Sequence, residues 1–149
     1  MVTIAIHQPN FVPWYPYFQK IQQADLFCIM RHCQFEKNNY QNRFFTDKWN
    51  TMSVNKKIES IYEKKYLTPQ EDWHRIVTNN PELNCFNGLI NKNLWQTNSL
   101  IIMRACEMLG INTNIVHDKP IELTGTKRDR KSTRLNSSHS RASRMPSSA

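Results

Sequence analysis

Residues 4–43 read IAIHQPNFVPWYPYFQKIQQADLFCIMRHCQFEKNNYQNR, and they concentrate polar, aromatic and proline side chains more than packing alone requires. The apolar residues 2–6 predict a short strand, and a His-Gln-Pro-Asn loop follows it at residues 7–10. In open α/β sheets, ligands gather beyond the carboxyl ends of the strands, where loops converge on a rigid frame. His7, Gln8 and Asn10 are therefore the first residues that we expect to touch a ligand.

A helix and a second strand are predicted next, over about residues 16–24 and 26–30. The helix has Pro16 at a position that a first turn accepts. Its apolar residues recur at the spacing of one helical face: Tyr17, Phe18, Ile21 and Ala24. Residues 26–30 are a continuous apolar run of strand length. The order strand, helix, strand is typical of a parallel βαβ unit, which brings the loops after both strands to one edge of the sheet.

The middle of the chain predicts smaller elements. Two short strand patterns, residues 43–46 and 49–54, flank a turn at residues 47–48 and predict a polar and aromatic hairpin insertion. Residues 56–65 alternate in charge and predict an exposed connection. Residues 68–71, Thr-Pro-Gln-Glu, have the pattern of a capping box, which predicts the start of a helix of about ten residues.

The last predicted helix begins at residue 97 or 98 and ends at residue 109, before Gly110. It is apolar on nearly every side, so we predict that Met103 and Cys106 are core residues. Residues 114–117 then predict a third buried strand. The whole pattern favours an α/β fold, a truncated and mainly parallel sheet with flanking helices and the hairpin insertion.

The formal net charge of +8 is concentrated at the carboxyl end. Residues 129–149 hold five basic side chains and one acid, so half of the excess lies there. Their sequence resembles the in-frame translation of a high-throughput sequencing adapter, and we expect a disordered, non-native tail. The remaining excess over residues 1–128 is ordinary for a solvated surface, so nucleic acid is not indicated as a partner.

The four cysteines lack the closely spaced pairs of a zinc site, so no metal site is predicted: Cys28, Cys33, Cys85 and Cys106. Buried free thiols are typical of a reducing compartment. The amino terminus has no basic and apolar leader, and no apolar run approaches the length of about 20 residues that spans a bilayer. These features predict a soluble protein of the cytoplasm.

No complete catalytic signature occurs in the sequence, and no motif indicates a cofactor. What remains is a set of polar side chains around the first two predicted strands. His7 can carry a proton near neutral pH, and Arg43 offers a planar fork to a carboxylate or phosphate. Four amides can orient hydroxyl groups: Gln8, Asn10, Gln34 and Asn42. Together they suit a small-molecule ligand of the sugar or sugar-nucleotide class, stacked on Trp14 or Tyr15.

The same residues also fit a purely structural role. His7 and Asn10 have the side chains that form local turns by bonding to nearby backbone. Gln34, Asn42 and Arg43 have the hydrogen-bonding capacity to tie a long loop to the sheet. The residues alone leave both interpretations open.

The run HQPNFVPWYPYFQKI, which begins at His7, resembles the opening of the WbqC-like family, as do the later Ala-Asp, QF-K and QNR groups. The resemblance covers residues 2–128 and is most specific over residues 7–43. Members of this family occur in bacterial surface-polysaccharide gene clusters. The resemblance therefore implies a transferase of O-antigen type or a nucleotide-sugar modification, and it implies that residues 1–128 are the amino-terminal part of a longer domain.

One segment departs from the family pattern. Before the Gln34-Phe35 pair the family carries one or two acidic residues, whereas this sequence has Arg31 and His32. Two functions follow as hypotheses. In the first, a transferase uses His7 to carry a proton and Arg43 to clamp the anionic part of its donor. In the second, a non-enzymatic module holds a glycan or a protein on the aromatic side chains of residues 14, 15 and 17.

Overall fold

The computed structural model describes residues 1–120, and the tail expected at residues 129–149 lies outside that range. The elements follow in the order β1 Ile4–His7, α1 Tyr15–Gln22, β2 Leu26–Ile29, β3 Arg43–Phe45, β4 Trp49–Thr51, α2 Pro69–Asn79, a 3₁₀ helix Pro81–Phe86, α3 Leu94–Met108 and β5 Asn114–His117.

The central sheet consists of β1, β2 and β5 in that spatial order, with all neighbours parallel. The α/β class and the βαβ unit are therefore confirmed. His7 pairs in register with Ile29, so it is the last residue of β1 and not the first residue of the loop. The three carboxyl ends lie at one edge of the sheet, which we call the carboxyl edge.

Helices α1 and α3 cover one face of this sheet. The core between them contains Phe27 and Ile29 of β2, and the two helices contribute Tyr17, Phe18, Ile21, Ile102 and Cys106. On the opposite face, Ile4 and Val116 are exposed. The prediction that β5 is a buried strand is therefore wrong, because within residues 1–120 only one face of the sheet is covered by helices.

A second core lies between α2, α3 and the hairpin of β3 and β4, which pair antiparallel as predicted. Phe11, from the loop after β1, is at its centre. The Phe11 ring packs against three other rings, with centroid distances of 5.7 Å to Phe44, 6.1 Å to Tyr66 and 6.1 Å to Trp73. The loop after β1 is thereby fixed to the hairpin and to α2.

The connection at residues 56–65 is largely exposed, as predicted, but two of its side chains are buried. Ile61 is buried and Lys64 is only 1% exposed. The Lys64 ammonium donates to the main-chain oxygens of Asn55 and Lys57 at 3.3 and 2.6 Å, and to Asn55 Oδ1 at 3.0 Å. Its Nζ also lies 3.4 Å from Glu59 Oε1. Burial is possible because these oxygens replace the water that a charged group otherwise needs.

The helix predicted from the capping box forms, but the capping box does not. Thr68 makes no side-chain bond to the backbone of α2, because its hydroxyl lies 3.1 Å from Asp72 Oδ2 instead. The same carboxylate oxygen accepts the Ser53 N–H at 2.8 Å. Burial alone raises the pKa of Asp72, but the hydrogen bonds from Ser53, Thr68 and Arg75 outweigh it and hold that pKa below its usual value.

Helix α3 and the sulfur-containing side chains differ from the prediction in three respects. Helix α3 begins at Leu94, earlier than predicted, because that fully buried leucine anchors its first turn in the second core. Met103 is exposed on this helix, whereas Cys106 is buried. The other three cysteines are half-buried free thiols. Gly110 has a φ of +71°, which confirms the predicted left-handed end of the helix.

Candidate functional site

His7 lies at the carboxyl end of β1, where α1 supplies its neighbours. Its Nδ1 is 3.2 Å from Lys20 Nζ, and its ring meets the Tyr17 ring edge-on at 4.9 Å. The Lys20 ammonium also donates to the Ile6 carbonyl at 3.1 Å. An ammonium group can only donate, so Nδ1 accepts and the ring proton of a neutral His7 resides on Nε2. Contact with Lys20 therefore selects the tautomer.

The loops after β1 and β2 meet, which is the arrangement that a βαβ unit predicts. Gln41 Nε2 donates to Gln8 Oε1 at 2.7 Å, and the Phe11 N–H donates to the Tyr40 carbonyl at 2.8 Å. The Tyr17 hydroxyl donates to the Gln8 carbonyl at 2.8 Å. Burial raises the pKa of Tyr17 strongly, so this hydroxyl acts as a fixed donor and not as an acid.

Asn10 and Trp14 occupy the outer part of the same loop. Asn10 is half-buried, and Trp14 is 74% exposed at the residue before α1. Tyr15, which follows it, is 66% exposed. Tyr17 is buried under the sheet, so the prediction that it belongs to an exposed aromatic surface is wrong. Of the three predicted aromatic residues, Trp14 and Tyr15 are thus exposed and Tyr17 is not.

The predicted residues of the second loop hold that loop in shape. Asn42 is buried and its Nδ2 donates to the Met52 carbonyl at 2.8 Å. Arg43 donates from Nε to the Asn39 carbonyl at 3.1 Å and from one terminal nitrogen to the Asn38 carbonyl at 2.7 Å. Its guanidinium carbon lies 3.8 Å from the centre of the Trp49 ring. Gln34 is exposed and forms an isolated bridge with Ser60.

Asn98, on α3, joins these loops and is not evident from the sequence. Its Nδ2 donates to the carbonyls of Pro9 and Gln41 at 2.8 and 2.7 Å, and its Oδ1 accepts the Tyr66 hydroxyl at 2.7 Å. The partners are 89 and 57 residues away in sequence, so no local pattern marks the position. The Nδ2 group of Asn98 thus donates to both loops, and its Oδ1 accepts from Tyr66.

A second polar cluster lies where β2 and β5 end. The Asp118 carboxylate accepts the Arg31 N–H at 2.9 Å and the His32 N–H at 3.1 Å, one on each oxygen. His117 Nε2 lies 3.1 Å from Ser99 Oγ. Arg31 and His32 were noted in the sequence only as a departure, and Asp118 follows directly after the last predicted strand. That position is the signal that sequence reasoning overlooked.

Aromatic rings form the floor of this cluster. The rings of Tyr62 and Trp95 stack with centroids 5.6 Å apart and an interplanar angle of 13°. His32 stacks on Tyr62 at 4.8 Å, and His117 meets Trp95 edge-on at 5.4 Å. Burial lowers the pKa of His117, the charge of Arg31 lowers it further, and Asp118 opposes both. His117 is therefore neutral at physiological pH.

A groove among the described residues lies elsewhere, between α2 and the 3₁₀ helix. It has a volume of about 370 Å³ and is lined by Gln70, Trp73, His74, Val77, Thr78, Asn84 and Asn87. His74 is its single titratable group, whereas the carboxyl edge brings together histidine, lysine and arginine side chains. Chemical capacity therefore favours the carboxyl edge.

Two further properties bear on the kind of site. Among residues 1–120, no group of three or more His, Cys, Asp or Glu side chains is arranged to hold a metal ion. In the same part of the chain, no helix has the length and apolarity to cross a membrane.

A parallel sheet with charged and polar side chains at its carboxyl edge defines an α/β protein with a candidate ligand site at that edge. The model of the WbqC-like protein family matches residues 8–84, and this chain belongs to that family. The match includes α1, β2, the hairpin and α2, and it covers every predicted site residue except His7, which directly precedes it. No curated protein and no solved structure matches the chain.

Proposed function

We propose that this chain is a transferase that acts on a nucleotide-linked or polysaccharide-bound sugar of a bacterial surface polysaccharide. The proposal includes a cytoplasmic location and a ligand bound at the carboxyl edge. The observation that carries it is the contact between His7 and Lys20 at the end of β1, with the loops after β1 and β2 joined beside it. The chain belongs to the WbqC-like family, and the surface-polysaccharide gene clusters that the resemblance to this family implies are consistent with the same substrate class.

In transfer from a sugar nucleotide, an acceptor hydroxyl forms a bond to the anomeric carbon while the bond from that carbon to the phosphate oxygen breaks. Negative charge develops on the departing phosphate. His7 donates its Nε2 proton to that oxygen, and Lys20 supplies a proton to Nδ1 in return. The acceptor hydroxyl releases its proton to water. His7 is the proton carrier in this scheme, and until the proton is passed on the positive charge of Lys20 stabilises the negative charge that develops on the departing phosphate.

The other predicted residues divide into two groups in this proposal. Gln8, Asn10 and Trp14 lie in the loop that directly follows His7, so they orient hydroxyl groups and offer a ring surface to the sugar. Gln34 and Asn42 contribute from the second loop, where Asn42 acts by fixing the backbone. Clamping of the donor by Arg43 stays a prediction, since two of its nitrogens donate to carbonyls of its own loop.

The test is calorimetric titration and turnover of the full chain with uridine and guanosine diphosphate sugars, with products detected by mass spectrometry. His7→Gln should lower turnover by about 10²–10⁴-fold, the usual contribution of a positioned proton donor, with little change in affinity. Lys20→Met should lower turnover as well. His74→Gln is the matched control, because His74 is an exposed histidine on α2. Equal turnover in the His7 and His74 variants would refute the assignment.

A non-enzymatic binding module is the second candidate, and the exposure of Trp14 and Tyr15 favours it. Two adjacent aromatic rings at the start of a helix can hold a glycan or a protein without chemistry. Titration of the chain with soluble O-antigen polysaccharide distinguishes the two. Binding that is lost in Trp14→Ala and unchanged in His7→Gln, without turnover of any sugar nucleotide, would favour the module.

A further inference from the structure

The turn after β2 is attached to the end of β5 by a single acidic residue. Asp118 donates its own N–H to the Ile29 carbonyl at 3.1 Å, which continues the pairing of the two strands. Its carboxylate accepts the Arg31 and His32 N–H groups, one on each oxygen. The Asp118 carboxylate therefore holds the backbone of this turn, and it also forms an ion pair with the Arg31 side chain. The turn itself is rigid, because two charge-assisted bonds fix consecutive peptide groups.

The Arg31 side chain leaves this turn in a defined direction. Its Nε donates to the Asp118 carbonyl at 3.4 Å and lies 3.7 Å from Asp118 Oδ1. Its guanidinium carbon lies 4.4 Å from the centre of the Trp95 ring and 5.1 Å from that of Tyr62. The side chain is only 19% exposed. One edge and one face of the guanidinium are thus occupied, and its rotamer is held by packing.

The two terminal nitrogens of Arg31 differ from its Nε. Within residues 1–120 neither has a hydrogen-bond partner, and neither is among the buried polar atoms that lack one. Both therefore retain some contact with solvent, on a side chain that is 19% exposed. A guanidinium with its Nε anchored and its forked edge open presents two parallel N–H donors, the geometry that binds a phosphate or carboxylate.

We propose that Arg31 binds a phosphoryl group of the ligand through its open forked edge, on the aromatic floor of Trp95 and Tyr62. This deepens the proposed function, since it rests on ligand binding at the carboxyl edge. It assigns the anionic part of the ligand to the end of β2, beside β5. The reacting part of the ligand then lies at the end of β1, beside His7 and the Lys20 side chain that contacts it.

Arg43 is the other arginine near the predicted site, and it differs from Arg31 in the hydrogen bonds of its guanidinium group. Its Nε donates to the Asn39 carbonyl and one terminal nitrogen donates to the Asn38 carbonyl, so this edge of the guanidinium is used within its own loop. Arg31 retains both terminal nitrogens for a ligand. Arg31 stands in this turn where the resemblance implies an acidic residue, and its positive charge favours an anionic ligand.

The experiment is titration of the full chain with inorganic pyrophosphate at low ionic strength, followed by calorimetry and by tryptophan fluorescence, because Trp95 lies under the guanidinium. Arg31→Gln should weaken binding about tenfold or more, the usual effect of losing a charge-assisted bidentate contact. Arg31→Lys keeps the charge and loses the fork, so it should weaken binding less. Arg104→Gln is the matched control, since Arg104 is an exposed arginine on α3.

A purely structural Arg31 would give a different set of results. The Arg31 Nε–H signal in a nitrogen–proton spectrum should shift on addition of pyrophosphate, which packing against Trp95 alone does not produce. If Arg31→Gln fails to fold, the proposal is tested by the Arg31 Nε–H signal of the unmodified chain and by the pyrophosphate affinity of Arg31→Lys. Affinity in a folded Arg31→Gln within twofold of the unmodified chain, or no pyrophosphate binding at all, would overturn the proposal.

Two comparisons distinguish phosphoryl binding by Arg31 from carboxylate binding and from the proposed chemistry of His7. Malonate carries carboxylates in place of phosphoryl groups, and tighter binding of malonate than of pyrophosphate would overturn the phosphoryl assignment. Loss of pyrophosphate affinity in Arg31→Gln, together with normal turnover in His7→Gln, would uphold the anion site and refute the proposed chemistry. Normal pyrophosphate affinity in Arg31→Gln, with turnover lost in His7→Gln, would do the reverse.

Discussion

Substitution of Asn98 by alanine tests whether one buried amide holds the two loops of the candidate site. Asn98 is 0% exposed and makes three hydrogen bonds, to the carbonyls of Pro9 and Gln41 and from the hydroxyl of Tyr66. All three partners are buried or part of the loops that meet at the carboxyl edge. Alanine removes every one of these bonds and leaves the partner atoms in place.

The expected cost follows from the partners that lose their bonds. A buried polar group without a partner costs about 1–3 kcal/mol. The Tyr66 hydroxyl retains a long contact of 3.4 Å to the Gln41 carbonyl, which relieves part of its loss. We therefore expect Asn98→Ala to lower the free energy of unfolding by about 3–5 kcal/mol. At roughly 4 °C per kcal/mol for a domain of this size, the melting temperature should fall by about 12–20 °C.

Urea unfolding followed by circular dichroism measures this free energy. Asn79→Ala is the matched control, because Asn79 is exposed and its amide donates only to the Arg75 carbonyl of the same helix. Tyr66→Phe removes one of the three bonds and should cost about 1 kcal/mol. If Asn98→Ala were no more destabilising than Asn79→Ala, the view that this amide holds the loops together would be refuted.

Two further predictions concern buried charge. Lys64→Met should lower the free energy of unfolding by about 3–5 kcal/mol, because the Glu59 carboxylate and two carbonyl oxygens lose the ammonium group that they contact. Lys48 is exposed, so Lys48→Met should change the same free energy by less than about 0.5 kcal/mol in the same unfolding assay. His117 has a lowered pKa, so the folded state binds its proton less tightly than the unfolded chain does. The stability that neutral His117 contributes is full above the ordinary value of 6.5 and is lost as the pH falls through the folded pKa. Urea midpoints between about pH 7.5 and pH 5.5 should therefore fall less in His117→Gln than in the unmodified chain, and an equal fall would contradict the prediction.

The elements that sequence reasoning identified correctly are those with local signals. Apolar runs identified β1, β2 and β5, the spacing of Tyr17, Phe18 and Ile21 identified α1, and Gly110 ended α3. The hairpin was predicted from two short strand patterns and the turn between them, at residues 47–48. Each of these features depends on backbone preference and on periodic burial within a few residues, so the sequence itself contains the information.

The errors arise where particular side-chain contacts, and not backbone preference, decide the outcome. Lys64 is polar by composition, yet carbonyls of residues 55 and 57 allow it to be buried. Thr68 has the right residue type for a cap, but Asp72 competes for its hydroxyl. The candidate site shows the same limit, since Asp118 reaches Arg31 across 87 residues and neither position predicts the other. The polar side chains of a site can be read from sequence, whereas the pairing between them depends on the fold.

The positions of His7 and His117 follow from the packing that holds the sheet together. Both pair in register with Ile29, so the three side chains project from the same face of the sheet. Ile29 is buried against α1 and α3, and the two histidines contact the same helices through Tyr17 and Ser99. Neighbouring strands lie about 4.8 Å apart, so the backbones of the two histidines are separated by about 10 Å. A ligand that reaches both ends of this row must extend across two strands, which a sugar nucleotide does and inorganic phosphate does not.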